Sequence, residues 1–297
     1  MKEIVVLSGK GGTGKTSLTA SFALLAEQKI SLGDCDVEAA NLALLITGNN
    51  TSEESFVAGQ TAFVNSEACT ACGACVEVCR YAAIIIPADA RAAIVDDIPC
   101  EGCRACSVVC PTDAISFSDV RVGTIFQRKT AVGPMIHAEL GIAQDNSGKL
   151  VSRVRKETRS RAEASGIELA ILDGPPGIGC PVHAAITGVS LVVAVTEASS
   201  SGLHDLERLL ELCKHFNAKA VVIINKYDLC VEVTEKIERL AEELNIRIVG
   251  KIPFDENIPR ALARREAPIA IPRIRETIQQ IWNDIKQELG IAWTPIS

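Results

Sequence analysis

The chain lacks any stretch of about 18 uninterrupted apolar residues, so no transmembrane helix is expected. Positive charge is scarce as well. Thirty Lys and Arg stand against 37 Asp and Glu, for a net charge of −7. A nucleic-acid-binding surface is normally basic, so that class of partner is not expected. No charged and apolar leader precedes the first strand-like run, which leads to the expectation of a cytoplasmic protein without an export signal. Disorder is excluded by a hydrophobic fraction of 47 %, ample for a core. At 297 residues the chain suggests one large domain, or one domain carrying an insertion. Cysteine, by contrast, is plentiful: there are twelve. In a small secreted chain they would suggest disulfides, whereas at this size and without an export signal they point to metal.

A short apolar run, Ile4 to Leu7, leads into the loop Gly9-Lys10-Gly11-Gly12-Thr13-Gly14-Lys15-Thr16, and a helix is expected from Ser17 to Gln28. Strand, glycine-rich loop and helix form the context in which GxxxxGK[ST] is a phosphate cradle. The glycines let backbone N–H groups converge on phosphate oxygens, and the helix N-terminus adds its partial positive charge. The candidate nucleotide contacts are therefore Gly11, Gly12, Thr13, Gly14, Lys15, Thr16 and Ser17. Lys15 should reach the β and γ phosphates, and the Thr16 hydroxyl should ligate Mg²⁺.

The second lysine, Lys10, makes the loop more specific. Lys-Gly-Gly-Thr-Gly-Lys-Thr resembles the deviant Walker A loop of the MinD, ParA and nitrogenase iron protein superfamily. That resemblance implies that Lys10 crosses a dimer interface to the partner's nucleotide, and that Gly12 is small because the partner backbone passes nearby. A second strand, Ile30 to Asp34, ends in Asp34-Cys35-Asp36-Val37-Glu38-Ala39-Ala40-Asn41-Leu42. Carboxylates at the C-terminal end of a parallel strand face the ligand crevice of a doubly wound sheet. The stretch resembles switch I of the superfamily. By that likeness Asp36 positions or activates the attacking water, Asp34 sits in the outer Mg²⁺ shell, and Asn41 lies at the dimer interface.

Residues 47–57 have a linker-like composition of Thr, Gly, Asn, Ser and Glu. The pattern then changes to Cys69-x2-Cys72-x2-Cys75-x3-Cys79, repeated 31 residues later as Cys100-x2-Cys103-x2-Cys106-x3-Cys110-Pro111. Val64 matches Val95, Val78 matches Val109, and Ala83-Ile84 matches Ala114-Ile115. This internal repeat resembles the two-cluster bacterial ferredoxin over residues 58–119. Three cysteines on a tight loop cap three irons of one cubane, and the fourth reaches the other cluster. Cys69, Cys72, Cys75 and Cys110 should thus hold [4Fe-4S] cluster I, and Cys79, Cys100, Cys103 and Cys106 cluster II. Zinc is the alternative metal that CxxC pairs allow. Arg80 stands where the first motif usually has proline. The segment carries eight Asp and Glu against three Arg, a field that favours a basic redox partner or simply keeps the lobe in solution.

The nucleotide-binding part is expected to resume at Arg121, with strands at Val122–Phe126 and Ala131–Ile136. Asn146-Ser147-Gly148 should open a helix over Lys149–Ala164 whose basic residues face the acidic lobe or solvent. Glu168 to Asp173 reads as a buried strand, and Asp173-Gly174-Pro175-Pro176-Gly177 resembles the Walker B and switch II segment. By that likeness Asp173 holds Mg²⁺ through water and the turn senses the γ-phosphate. Cys180 sits at the offset of a cluster ligand in the nitrogenase iron protein, but the second cysteine that such a bridging cluster needs is missing. Strand Leu191–Thr196, helix Leu203–Lys214 and strand Ala220–Ile224 lead to Asn225-Lys226-Tyr227-Asp228. NKxD is a guanine-reading pattern. In MinD-like ATPases the asparagine contacts adenine instead, and Ile252-Pro253-Phe254-Asp255 resembles their base-binding loop. Asn225, Pro253 and Asp255 are therefore the candidate base contacts, for ATP rather than GTP. The final helix, Arg273–Leu289, carries one apolar stripe and a neutral polar face, as expected of a core-packing helix rather than a membrane anchor.

The expected fold is α/β: a doubly wound, mostly parallel P-loop sheet formed by residues 1–57 and 120–297, with a small α+β ferredoxin domain inserted at 58–119. Lys10, Lys15, Asp36 and Asp173 are the candidate catalytic residues. The resemblance implies a slow ATPase that dimerises with ATP, either with itself or with a related chain. Three roles stay open: an ATPase gating electron transfer through two clusters, an iron–sulfur carrier or scaffold, and a regulatory switch whose clusters are structural.

Overall fold

The computed structural model describes residues 1–141 and 147–290. Strand β1 (Lys2–Ser8) runs into the glycine-rich loop, and helix α1 (Lys15–Leu25) follows. After β2 (Ser31–Asp34) and a one-turn helix α2 (Leu42–Leu45) comes a long strand, β3 (Gly48–Val64). Short elements then alternate: α3 (Ala74–Val78), β4 (Ile84–Ile85), β5 (Ile94–Val95) and α4 (Ala105–Val108). A second long strand, β6 (Ile115–Thr130), turns into β7 (Pro134–Leu140), and α5 spans Ser147–Ala164. The rest alternates regularly through β8 (Leu169–Pro176), α6 (Cys180–Ile186), β9 (Leu191–Glu197), α7 (Ser200–His215), β10 (Ala220–Asn225), α8 (Val231–Glu243), β11 (Arg247–Ile252), α9 (Asn257–Ala263) and α10 (Pro272–Glu288).

Nine strands form one sheet in the order β11-β10-β9-β1-β8-β2-β7-β6-β3. The pairs from β11 through β7 are parallel. Their sequences explain this. β8 and β9 are buried at almost every position, as strands covered on both faces must be. The last helix seals one face. Ile274, Ile278, Ile281, Trp282 and Ile285 are all buried, and the Trp282 ring stacks on Phe22 of α1 at 5.3 Å between centroids. The apolar stripe of α10 is thus core. No helix among the described residues is long and apolar enough to cross a membrane.

The chain divides into two compact units. One comprises residues 1–54, 125–139 and the chain from Ser147 onward; the other comprises 55–124 with the stretch that begins at Leu140. The boundaries at 54/55 and 124/125 fall inside strands, β3 and β6, where 57/58 and 119/120 were expected. The linker expected at 47–57 is strand. Its polar composition misled because β3 is an edge strand, exposed at nearly every position from Asn49 to Ser55. Without a buried face, no apolar alternation is required. The strand expected at Ala131–Ile136 begins only at Pro134. Gly133, at φ +145°, turns the chain so closely under β2 that a Cβ would lie 1.9 Å from the Ile30 carbonyl oxygen. The helix expected from Lys149 begins at Ser147, and Asn146 lies outside the described residues.

The basic face of α5 is largely committed within its own unit. Arg155 grips the buried Glu3 of β1 through two bonds of 2.9 Å, and Arg159 adds a third at 2.8 Å. Arg153 pairs with Glu54 and Glu157. A buried carboxylate needs such partners, since an unpaired charge there would be strongly destabilising.

His137 of β7 is 5 % exposed, stacks on Phe126 at 4.8 Å and leaves Nδ1 without a partner. Burial, reinforced by the nearby Arg128, lowers its pKa to about 4. The unfolded chain takes up this proton near pH 6.5 and the folded protein only near pH 4, so stability is lost as pH falls through that window. Denaturant titrations of wild type and His137→Phe at pH 7.5 and pH 5 should show wild type losing about 2 kcal/mol more than the variant. Equal losses would mean that His137 is already charged in the folded protein.

Candidate functional site

The strand order places the C-terminal ends of β1, β8 and β2 side by side. Asp173 of β8 is in register with Val6 of β1 on one side and with Asp34 of β2 on the other. The glycine-rich loop leaves β1 directly over these two carboxylates. Gly14 ends it in the left-handed region at φ +99°, where a Cβ would lie 2.7 Å from Asn225 Nδ2. That same amide donates to the Thr13 carbonyl at 2.8 Å, so Asn225 at the end of β10 clamps the loop.

Each acid has a distinct task. The Thr16 hydroxyl donates to Asp173 Oδ2 at 2.6 Å and the Thr19 hydroxyl to Oδ1 at 3.0 Å. Asp34 accepts the backbone N–H groups of Asp36 at 3.2 Å and Leu42 at 3.0 Å, which folds residues 35–42 into a closed loop. Burial, and then the neighbouring Asp173, hold the Asp34 pKa well above the usual carboxylate range. Burial also raises Asp173, opposed by Lys15, Thr16 and Thr19. Lys15 Nζ meets Asp36 Oδ2 at 3.2 Å in a pair that is largely shielded from water. Two buried carboxylates with a single lysine nearby leave negative charge that a dication would neutralise. Thr16 and Asp173 are the residues present to hold Mg²⁺, with Asp34 behind them as the organiser of the loop.

The loop opens onto a cavity of about 510 Å³. Gly11, Gly12, Gly14, Lys15, Thr16 and Ser17 form its phosphate end, with Asp36 and Asn41 at one side. Asn225, Pro253 and Asp255 also line it, and Ile252, Phe254, Ile258 and Leu262 supply an apolar wall suited to a planar base. Asp228, the acid of the NKxD pattern, is not among its lining residues. Its Oδ1 accepts the Phe254 backbone N–H at 2.7 Å and so fastens the loop that carries Pro253. Asp255 is likewise engaged, capping the start of α9 through Asn257 at 2.8 Å.

Lys10 is held within its own chain. Its Nζ lies 2.6 Å from Glu197 Oε1 and donates to the hydroxyls of Ser201 at 2.8 Å and Ser199 at 3.3 Å. Lys226 binds the other Glu197 oxygen at 3.0 Å. Burial acts to raise the Glu197 pKa, but these hydrogen bonds leave it below the usual value. Among the described residues, none lies within 4 Å of where a side chain on Gly12 would begin. The sequence reading missed Glu197. The signal that singled out Asp34 and Asp173, an acid at the C-terminal end of a parallel strand, applies to it as well, because it closes β9.

The repeated cysteines separate in space as their spacing suggests. One cavity is lined by Cys69, Cys72, Cys75 and Cys110, and the other by Cys79, Cys100, Cys103 and Cys106. Each is small, about 20 Å³. Cys75 and Cys106 are buried in the small apolar core of this unit with Ala62, Ile84 and Ala93. Backbone N–H groups already point at three sulfurs: Ala62 at Cys100 (3.4 Å), Ala71 at Cys69 (3.5 Å) and Ala114 at Cys110 (3.3 Å). Among the described residues, no three Cys, His, Asp or Glu converge as ligands of a single ion. The thiols ring a space rather than meeting at a point. The other cysteines stand apart. Cys35 and Cys213 are buried, with burial pushing the Cys213 thiol up to about 12, while Cys180 is exposed at the start of α6.

The model of the CobQ/CobB/MinD/ParA nucleotide-binding domain family matches residues 4–269. The chain belongs to this family. Over 290 residues, 96 % of each chain, it is 29 % identical to the uncharacterized protein MJ0578 of Methanocaldococcus jannaschii. It is also 24 % identical over 137 residues to the iron-sulfur cluster carrier protein of Pyrococcus abyssi, a match covering 42 % of this chain and 45 % of that one. Among solved structures, the septum site-determining protein MinD of Pyrococcus horikoshii, complexed with Mg-ADP, superposes with a TM-score of 0.58 at 15 % identity over 97 % of both chains. Membership supports nucleotide binding at the loop, and the likeness to MinD supports the α/β fold with its large, mostly parallel sheet.

Because Asp228 is spent on the Phe254 amide, Asp228→Ala should loosen the base loop and weaken ATP binding by about tenfold, the scale of one charge-assisted hydrogen bond. Asp228→Asn should bind xanthosine triphosphate no better than wild type does. Competition titrations check both. Tighter GTP than ATP binding by wild type, or a switch to the xanthine nucleotide, would mean that Asp228 reads the base.

Proposed function

We propose that this chain is an ATP-binding iron–sulfur protein whose ATP hydrolysis is coupled to electron transfer through two [4Fe-4S] clusters. The observation that carries the reading is the crossed partition of the eight cysteines. Cys110 joins the first loop's three and Cys79 the second loop's three, each set around its own cavity. This partition is what two cubanes in a repeated motif demand. When bound, such clusters supply one-electron chemistry. The chain's part is to exclude water with Ile84, Ala93 and Phe117 and to aim N–H groups at the sulfurs, both of which tune potential. At the nucleotide site, Lys15 and the loop amides take the phosphates, Thr16 and Asp173 take Mg²⁺, and Asp36 stands where a water could be positioned beside Lys15.

A second reading, an iron–sulfur carrier, is favoured by the partial similarity to the Pyrococcus abyssi carrier protein. A cluster that is handed on must be reachable and loosely held. Here Cys75 and Cys106 are core residues, and among the eight only Cys72 and Cys103 are exposed. Retention of the clusters is the better fit, which electron transfer requires.

Dimerisation follows from Lys10. Its side chain is 30 % exposed and rests on Glu197 through contacts that a partner's phosphate could outcompete. We propose that ATP closes a dimer, of two copies or of two related chains, in which Lys10 leaves Glu197 for the partner's nucleotide.

Anaerobically purified protein should contain about eight irons and eight acid-labile sulfides per chain. Cys69→Ser should remove about half of both, and stoichiometric zinc without charge-transfer absorption would rule the clusters out. Coupling between the two sites is reciprocal and typically on the order of 1 kcal/mol, so the ATP dissociation constant should differ by about fivefold between oxidised and dithionite-reduced protein. Equal constants would leave the carrier and switch readings standing. Lys10→Ala should bind ATP yet lose both hydrolysis and the ATP-dependent dimer; size-exclusion runs with a non-hydrolysable analogue that show the same oligomer as wild type would refute the role of Lys10.

A further inference from the structure

We infer that the β4–β5 hairpin is a docking surface for a basic protein with an apolar centre, beside the cavity of Cys79, Cys100, Cys103 and Cys106. The inference rests on the reading of those cysteines as cluster ligands and adds where, and by what chemistry, the partner is met.

Ile85 and Ile94 are cross-strand partners, 58 % and 51 % exposed, while Ile84 beside Ile85 is buried in the core of this unit. The Asp96 N–H donates to the Ala83 carbonyl at 2.8 Å and closes the hairpin base. Two residues beyond, on either side, stand Tyr81, 48 % exposed, and Ile98, 75 % exposed. Tyr81 also lines the cavity itself. One exposed apolar side chain means little, but four on a single hairpin mark a candidate interface.

The internal repeat supplies a control. Asn65 donates to Ala114 at 2.8 Å as Asp96 does to Ala83, and the two side chains make the same turn, to Glu67 N at 3.0 Å and Ile98 N at 3.1 Å. The two copies therefore share one backbone geometry, and their side chains can be compared position by position. Ile98 corresponds to Glu67, Tyr81 to Thr112 and Ile85 to Ser116; only Ile94, matched by Phe63, is apolar in both. The backbone accepts polar residues at three of these four positions. Their apolar character on one side is thus not required by the fold.

Charge defines the partner. Residues 58–119 hold eight acids, three arginines and no lysine. Asp89, Asp96, Asp97 and Glu101 lie in or next to the hairpin against two exposed arginines, Arg80 and Arg91, while Arg104 is drawn away onto Gln60 and the Phe117 ring, so the rim stays net acidic. An apolar centre with an acidic rim fits a protein that presents an apolar contact ringed by lysine or arginine. Such charge would also speed encounter in a salt-dependent way.

The test uses the anaerobic holoprotein and oxidised cytochrome c, a basic haem protein, as the probe. Titration calorimetry at low and high salt compares wild type with Tyr81→Thr/Ile85→Ser/Ile98→Glu, which installs the other repeat's residues. The dissociation constant should rise about tenfold in the variant even though Ile98→Glu adds attraction for a basic probe, and salt should weaken wild type. Iron and sulfide contents should be unchanged in Ile98→Glu, whose side chain does not line the cysteine cavity. Ile98→Glu alone, at the most exposed position, should show a smaller rise and guards against misfolding of the triple variant. Equal constants for wild type and both variants, absence of binding, or binding indifferent to salt would overturn the surface. Wild type without iron that still shows the predicted difference would overturn the cluster reading and keep the surface.

Discussion

Asp173 is the fixed point of the nucleotide-binding unit. Its carboxylate lies near the end of a central parallel strand, fully buried and in register with Asp34. Two such groups side by side are costly, and the structure offsets the cost locally. Thr16 and Thr19 donate to one carboxylate, two backbone N–H groups donate to the other, and Lys15 lies close by. These same contacts seat the glycine-rich loop above β8 and fold residues 35–42 beside it. The arrangement that makes the buried acids tolerable is therefore also the one that aligns the glycine-rich loop, Thr16 and Asp36.

Glu197 plays a comparable part at the rim. It accepts two lysines, Lys10 from the loop and Lys226 from the end of β10. If Lys10 departs, Lys226 keeps the carboxylate paired, so the movement does not strand a charge. Exchange of one partner at a partly exposed acid costs little, which would suit the proposed movement of Lys10.

In the cysteine-rich unit a very small apolar core is shared with the thiols themselves. Cys75 and Cys106 fill positions that leucine or valine would occupy elsewhere. Were these thiols to hold a metal group, its binding would be linked to folding. The two copies of the motif have parted on the outside and not within. Ala83 and Ala114 accept equivalent bonds, while the exposed faces differ in polarity.

Most of this was legible in the chain. The loop from Gly9 to Thr16, the acids at 34, 36 and 173, and the cysteine spacing each carry chemistry through residue type and short-range interval, which local backbone geometry translates directly. The apolar stripe of α10 was legible for the same reason: a buried face imposes a period. Strand β3 was not, because an edge strand exposed on both sides has no face to bury and reads as a linker. The embrace of Glu3 by Arg155 and Arg159 was invisible too, since residues some 150 positions apart leave no mutual trace in one sequence. The sequence determined what chemistry is available: a phosphate cradle, buried acids and eight paired-out thiols. Only the tertiary structure decided which groups are free to use it. It commits Asp228 to the Phe254 amide and Lys10 to Glu197, and it gathers Tyr81, Ile85, Ile94 and Ile98 on one hairpin. The physical reason is that a hydrogen bond or an exposed patch depends on proximity in space, which strand order and register fix and local sequence does not.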